Sequence, residues 1–122
     1  MLYQAILIGA SIGVAGEFLA SRLSLWKYRA PWLAIGNILV MFGLVCGSIA
    51  LLFDSHIARF IAGFAFGLIY EVLNSSTLHA WSFATGRLRL MNIKILQVLL
   101  AFAWGTVPLL IGYLIRHTAL FG

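Results

Sequence analysis

Gly9-Ala-Ser-Ile-Gly13-Val-Ala-Gly-Glu17-Phe-Leu-Ala-Ser21 and Gly63-Phe-Ala-Phe-Gly67-Leu-Ile-Tyr-Glu71-Val-Leu-Asn-Ser75 are the stretches on which the fold turns. Both read Gly-x3-Gly-x3-Glu-x3-Ser, and every one of those positions recurs after 54 residues, as do Leu19 and Leu73. Residues four apart share one face of an α-helix. Each stretch therefore predicts a helix with a glycine notch, a carboxylate and a hydroxyl along one stripe. Small-xxx-small spacing lets a second helix approach closely, so Gly9, Gly13, Gly63 and Gly67 are the expected packing positions.

The tails match as well. Trp26-x-Tyr28 follows Glu17 by nine residues, and Trp81-x-Phe83 follows Glu71 by ten. The segments after each tail align more loosely, Asn37 with Gln97 and Phe42 with Phe102. The pattern predicts a tandem duplication of a two-helix hairpin, repeat one over 1–56 and repeat two over 57–122. An even number of helices per copy makes the copies parallel.

Working outward, both stretches sit inside long apolar runs. Residues 2–20, 32–53, 60–78 and 95–115 each reach the length of about 20 residues that crosses a bilayer, with very few strongly polar positions. The runs are continuous rather than alternating, which excludes membrane-spanning strands. The chain is 63% hydrophobic and 9% charged, against roughly 25% charged residues in a soluble domain. A water-soluble globule, a disordered chain and a free nucleic-acid binder are excluded on that ground. The expected fold is all-α: one polytopic membrane domain, 1–122, of four transmembrane helices.

Lys/Arg bias sets the orientation. Arg22, Lys27 and Arg29 fall in the first loop and Arg87, Arg89 and Lys94 in the third, against Arg59 and Arg116 on the other side. Loops 21–31 and 79–94 are thus expected in the cytoplasm and both termini outside, in the cell inner (plasma) membrane. The Gly86–Arg89 stretch reads as part of this signal, with weak attraction to anionic lipids. Trp26, Tyr28, Trp32 and Trp81 are expected at the inner interface, and Tyr3, Phe60 and Tyr113 at the outer one. No basic region precedes the first apolar run, so no cleaved leader is expected. Pro31 suits the first turn of helix two, and Pro108 is expected to kink helix four. Cys46 is the lone cysteine.

Glu17 and Glu71 lie about one turn from the cytoplasmic ends of helices one and three, and Asn37 and Gln97 about two turns into helices two and four. Depth alone brings Glu17, Asn37, Glu71 and Gln97 together, with Asn74 nearby. A carboxylate inside a bilayer costs several kcal/mol unless paired, hydrated or protonated. A shared polar pocket can serve proton transfer, cation coordination or protonation of a substrate. The bland readings are that each Glu snorkels to pair with Arg22 or Arg87, or pins the repeats together. Tyr70, beside Glu71, is expected to face away and pack. Glu17, Glu71 and His79 do not form a recognised metal pattern, and no metal or other cofactor is expected.

Glu17-Phe-Leu-Ala20-Ser-Arg22-Leu-Ser-Leu-Trp26-Lys-Tyr28 resembles the motif of the membrane lycopene cyclase domain and of related carotenoid-modifying membrane proteins. Glu71-x-x-Asn74 followed by Trp81-x-Phe83 resembles it more loosely. The acidic residue is Glu here where that family favours Asp, and its Pro-x-Glu-Glu element has no counterpart in helices two and four. The resemblance implies a long apolar isoprenoid held between the hairpins. Any protonation of a polyene would fall to Glu17 and Glu71, the two catalytic candidates.

Three readings follow. The first is a protein that binds, or modifies, an isoprenoid or lipid through Glu17, Asn37, Glu71, Asn74 and Gln97. The second is a small proton- or cation-coupled transporter or channel. The third is a non-catalytic subunit of a larger membrane complex. The expected partners are membrane lipids, an isoprenoid, and further copies or a membrane-complex partner, with no nucleic acid.

Overall fold

Four helices account for most of the chain. In the computed structural model, which describes residues 1–82, 88 and 90–117, they are α1 (Leu2–Leu23), α2 (Pro31–Leu52), α3 (His56–Leu78) and α4 (Ile93–His117). All four are long and apolar enough to cross a membrane. Phe83, Gly86, Arg87 and Arg89, assigned above to the second tail and the third loop, lie outside the described residues.

Local chemistry sets the boundaries. Pro31 opens α2, where a missing N–H removes no helical bond. The Ser55 hydroxyl accepts the Ala58 N–H at 3.1 Å and caps α3. Helices α1 and α3 both end on a left-handed residue, Ser24 at φ 54° and His79 at φ 47°. That reversal turns each chain back, and two residues later each presents a tryptophan, Trp26 or Trp81. The chain then forms a two-residue strand, β1 (Lys27–Tyr28) or β2 (Trp81–Ser82). The strands pair antiparallel, Lys27 opposite Ser82 and Tyr28 opposite Trp81, and the Arg29 N–H extends the ladder to the Ala80 carbonyl at 2.8 Å. This short ladder ties the two hairpins at one end of the bundle. Helical periodicity gives no hint of it.

The helices are not α-helical throughout. Asn37–Val45 of α2 and Asn74–Leu78 of α3 are π-helical. The second of these explains the unequal tails. Glu17 and Glu71 are 54 apart but Ser24 and His79 are 55 apart. One wide turn, closed by the His79 N–H on the Asn74 carbonyl at 2.8 Å, absorbs the extra residue.

Helix α1 packs chiefly on α2, and α3 on α4, while α4 also touches α1 and α2. The glycine notches dictate these contacts. A Cβ on Gly9 would strike the Phe42 carbonyl, and one on Gly13 would lie 2.8 Å from the Phe42 ring. A Cβ on Gly63 would lie 2.8 Å from both the Trp104 carbonyl and the Pro108 ring, and one on Gly67 would strike the Trp104 side chain. At all four glycines the neighbouring helix lies too close for a Cβ. The expected register of α2 on α4 does not hold: Phe42 and Trp104 occupy the notches, not Phe42 and Phe102. Phe102 stands half-exposed, its ring 5.8 Å from that of Phe60 and 5.1 Å from that of Phe64.

The core runs through Ala5, Ile8, Cys46, Ala50, Val107 and Ile111 to the aromatic group of Tyr70, Trp81 and Trp104. Around it the exterior is apolar, with Phe18, Leu52, Ile57, Ile61 and Ile69 all more than half exposed.

Candidate functional site

Glu17 comes from the last turns of α1 and Glu71 from the same level of α3. Both line one cavity of about 230 Å³ at the ladder end of the bundle. Its polar end is made by Glu17, Trp26, Tyr28, Asn37, Glu71 and Trp81. Its apolar length is made by Ile12 and Gly16 of α1, Phe42 of α2, and Leu100, Ala103 and Val107 of α4. The α4 residues fall at i, i+3 and i+7, one helix face. Gly16, Ala103 and Thr106 line the cavity and are themselves exposed, so it opens sideways between α1 and α4.

The Glu17 carboxylate accepts three hydrogen bonds, from the Tyr28 hydroxyl at 2.6 Å, the Asn37 amide at 2.9 Å and the Trp26 indole at 3.4 Å. None of these donors carries a formal charge. The Asn37 amide N–H also reaches the Tyr28 oxygen at 3.1 Å, and its carbonyl accepts the Tyr70 hydroxyl at 2.7 Å. The chain Glu17–Asn37–Tyr70 thus crosses from one hairpin to the other. Burial, followed by the Glu17 carboxylate it bonds to, pushes the Tyr28 phenol well above its ordinary value and keeps it a donor. Glu71 is only 3% exposed. Its carboxylate accepts the Trp104 indole N–H at 3.1 Å, and the Trp81 indole is directed at the same group. Hydrogen-bonded burial of this kind avoids the cost of an orphaned polar group.

The π-helical stretch of α2 matters here. Residues five apart diverge by roughly 140° on an α-helix. With i→i+5 bonding the turn widens and that angle shrinks, so Asn37 and Phe42 reach the same cavity.

Of the expected ligand-binding residues, Glu17, Asn37 and Glu71 come together. Asn74 and Gln97 do not line the cavity. The Asn74 amide donates to the Trp81 carbonyl at 3.1 Å, and its oxygen accepts the Ala80 and Trp81 N–H groups at 2.7 and 3.3 Å. Asn74 therefore shapes the loop that aims Trp81. Gln97 donates to the Ser75 hydroxyl at 3.2 Å. It misses the site because α4 sits two residues away from the register that paired it with Asn37. Snorkelling is also corrected for Glu71, which is buried.

The sequence reading missed Tyr70 and Trp104, and it gave Trp26, Tyr28 and Trp81 to the interface. Tyr70 was expected to face away, yet it is buried and bonded to Asn37. Trp81 is 7% exposed and packs edge-on against Tyr70, ring centres 5.0 Å apart. Only Trp32 of that group stands out, at 67%. The signal available was the Trp-x-aromatic tail nine or ten residues behind each Glu; nothing marked Trp104. Among the described residues no three His, Cys, Asp or Glu side chains gather as a metal site, and His79 lies in a separate hollow with Lys27 and Arg29.

Comparison with protein-family models, with curated proteins and with solved structures finds no match. The chemistry of the site has to be read from its own geometry. It offers a narrow apolar chamber with two carboxylates at its closed end, both held by neutral donors.

Proposed function

We propose that the chain is a four-span protein of the cell inner membrane that binds the end of a long apolar isoprenoid or lipid in the cavity between α1 and α4. Loops 21–31 and 79–94 face the cytoplasm and both termini face outside. Membrane insertion is supported by the exposed apolar exterior of the four helices, which in water would form patches far larger than soluble proteins tolerate. The tandem duplication is supported by two contacts that recur: Gly9 and Gly13 against Phe42, Gly63 and Gly67 against Trp104. It is also supported by the ladder, in which Lys27 and Ser82 lie opposite one another and each follows its tryptophan by one residue.

The observation that carries the ligand reading is the shape of the cavity. An apolar void of about 150 Å³ holds benzene, so 230 Å³ holds about nine carbons. That is roughly two isoprene units. The rest of such a chain leaves through the side opening, past Gly16, Ala103 and Thr106, into the bilayer. The inserted end meets the half-buried Glu17, with the deeply buried Glu71 behind it, and a hydroxyl can donate to the Glu17 carboxylate, or its protonated carboxyl can reach a double bond. The cyclase-like motif around Glu17 and Trp26 favours the same class of ligand.

Gly16 gives the test. A Cβ there meets only the tip of the Phe42 ring, at 3.9 Å. Gly16→Leu therefore fills the mouth without touching backbone. Mass spectrometry of lipids extracted from purified wild-type protein should show a polyprenyl or comparable long apolar species at near-stoichiometric level, absent from Gly16→Leu. Equal lipid content in the two proteins, or none in either, would overturn the reading.

A further inference from the structure

We propose a second lipid site on the opposite flank, between α2 and α3, that takes an anionic phospholipid with its phosphate on Lys27, Arg29 and His79. The proposal concerns a different face from the cavity above and rests on the same membrane-spanning reading.

Two hollows meet there. The first, of about 390 Å³, is lined at the ladder by Lys27, Arg29, His79 and Ser82, with Tyr28 and Trp81 between it and the Glu cavity that they also line. The second, of about 290 Å³, runs down between the helices past Trp32, Gly36, Val40, Met41 and Leu78. Arg29 lines both. Its backbone is pinned by the N–H bond to the Ala80 carbonyl at the junction of the two hollows. Gly36 leaves open floor, since a Cβ there would meet nothing within 4 Å. Trp32, two-thirds exposed, stands at the groove as an interfacial residue does.

Charge selects the occupant. The whole chain has three acids. Glu17 is bonded to Tyr28, Asn37 and Trp26, and Glu71 is buried against Trp104. Asp54 lies in the turn between α2 and α3, at the far end of the bundle. Lys27 also borders a hollow that Glu17 lines, but that carboxylate is already taken up by three uncharged donors, and no carboxylate lines the hollow at Lys27, Arg29 and His79. A basic shelf joined to an apolar groove of one chain's width fits a phosphate with an acyl tail. A net-anionic headgroup is preferred because a zwitterionic one brings its own ammonium beside the two cations. The site is walled from the Glu cavity by the Tyr70–Asn37 hydrogen bond, and Asn37 lines both spaces.

The test uses the full chain in nanodiscs of equal phosphatidylglycerol and phosphatidylcholine, followed by native mass spectrometry of lipids retained after release. Wild type should retain phosphatidylglycerol in preference, and each cation removed, in Lys27→Gln and Arg29→Gln, should cut that preference about fivefold. Gly36→Leu, which keeps both cations and fills the groove, should abolish retention. All three variants should keep the species bound in the Glu cavity, which reports an intact fold and separates this result from the reading above. Equal retention of both lipids by wild type overturns the proposal. So does a preference that survives the charge changes, which is a general surface effect, or retention that survives Gly36→Leu, which leaves the groove without a tail.

Discussion

In the first hairpin the carboxylate is gripped from the loop and from α2: Tyr28, Trp26 and Asn37 all donate to Glu17, which stays half-buried. In the second, Glu71 is almost wholly buried and the partner comes from α4, where the Trp104 indole reaches it. Phe42 fills the glycine notch of α1 as Trp104 fills that of α3, but a phenyl ring has no N–H to give. Each loop directs a tryptophan at its carboxylate, Trp26 at Glu17 and Trp81 at Glu71, and the hairpin without a donor in its notch adds Tyr28 and Asn37. What the two share is therefore a carboxylate held by uncharged donors, not a particular donor. They differ in burial: both line the cavity, but Glu17 is half-buried there and Glu71 almost wholly buried.

The notches themselves are the place to break the likeness most severely. Gly63→Ala drives a Cβ against the Trp104 carbonyl and the Pro108 ring, and Gly9→Ala drives one against the Phe42 carbonyl. Backbone cannot step aside as a side chain can. Each change should cost about 3 kcal/mol, the upper part of the range for overpacking. Gly16→Ala, on the same stripe of α1 but meeting only the Phe42 ring tip at 3.9 Å, should cost nothing. Thermal or denaturant unfolding in detergent decides it, and a neutral Gly63→Ala would show that the α3–α4 contact is looser than described.

Next come the donors. Trp104→Phe takes the α4 donor away from the buried Glu71 and should destabilise by about 2 kcal/mol. Tyr28→Phe removes one of three donors to a half-buried group and should cost about 1 kcal/mol or less. The carboxylates should separate in the same way: Glu71→Gln lowers the unfolding midpoint with ligand retained, whereas Glu17→Gln keeps the midpoint and loses ligand. Equal behaviour of the two Glu→Gln variants in both measurements would remove the distinction between an anchor and a contact.

A smaller effect is set by pH. The Tyr28 phenol ionises in the folded protein well above the value of 10.0 it has when unfolded, chiefly through burial. The folded state then binds the proton more tightly, so the stabilisation is complete below pH 10 and is lost as pH rises beyond it. Wild type should lose stability above pH 10 more steeply than Tyr28→Phe. Parallel curves would place Tyr28 in water rather than against Glu17.

The parts of this arrangement legible in the sequence are those that depend on one helix at a time. The four apolar runs, the glycine stripes and the depth of Glu17, Asn37 and Glu71 all follow from local spacing. Trp104 and Tyr70 were hidden because their roles exist only across helices, and an apolar run shows no reason to single out one aromatic residue. Asn74 and Gln97 were misplaced for a different reason. Their assignment assumed α-helical spacing and a polar-to-polar match of α2 with α4, whereas the π-helical stretches shift the facing residues and glycine contacts, not polar residues, set the register.

The wide turn at Asn74–Leu78 offers the finest probe of the comparison, because it is the one backbone difference between the ends of α1 and α3. If it exists only to absorb one surplus residue, deleting Ser76 should return α3 to α-helical geometry and set the Glu71–Trp81 spacing to the nine residues seen from Glu17 to Trp26. Ser76 is exposed, and its hydroxyl serves mainly the Val72 carbonyl of its own helix at 2.9 Å. The Trp81 indole would remain beside Glu71, and stability should change by about 1 kcal/mol or less. Near-ultraviolet circular dichroism reports the packing of Trp81 against Tyr70 and Tyr28, and should stay close to that of wild type. A collapse of that signal would mean that Asn74, which needs the wide turn to bond Ala80 and Trp81, has made the surplus residue indispensable, and that the second hairpin can no longer be exchanged for a copy of the first.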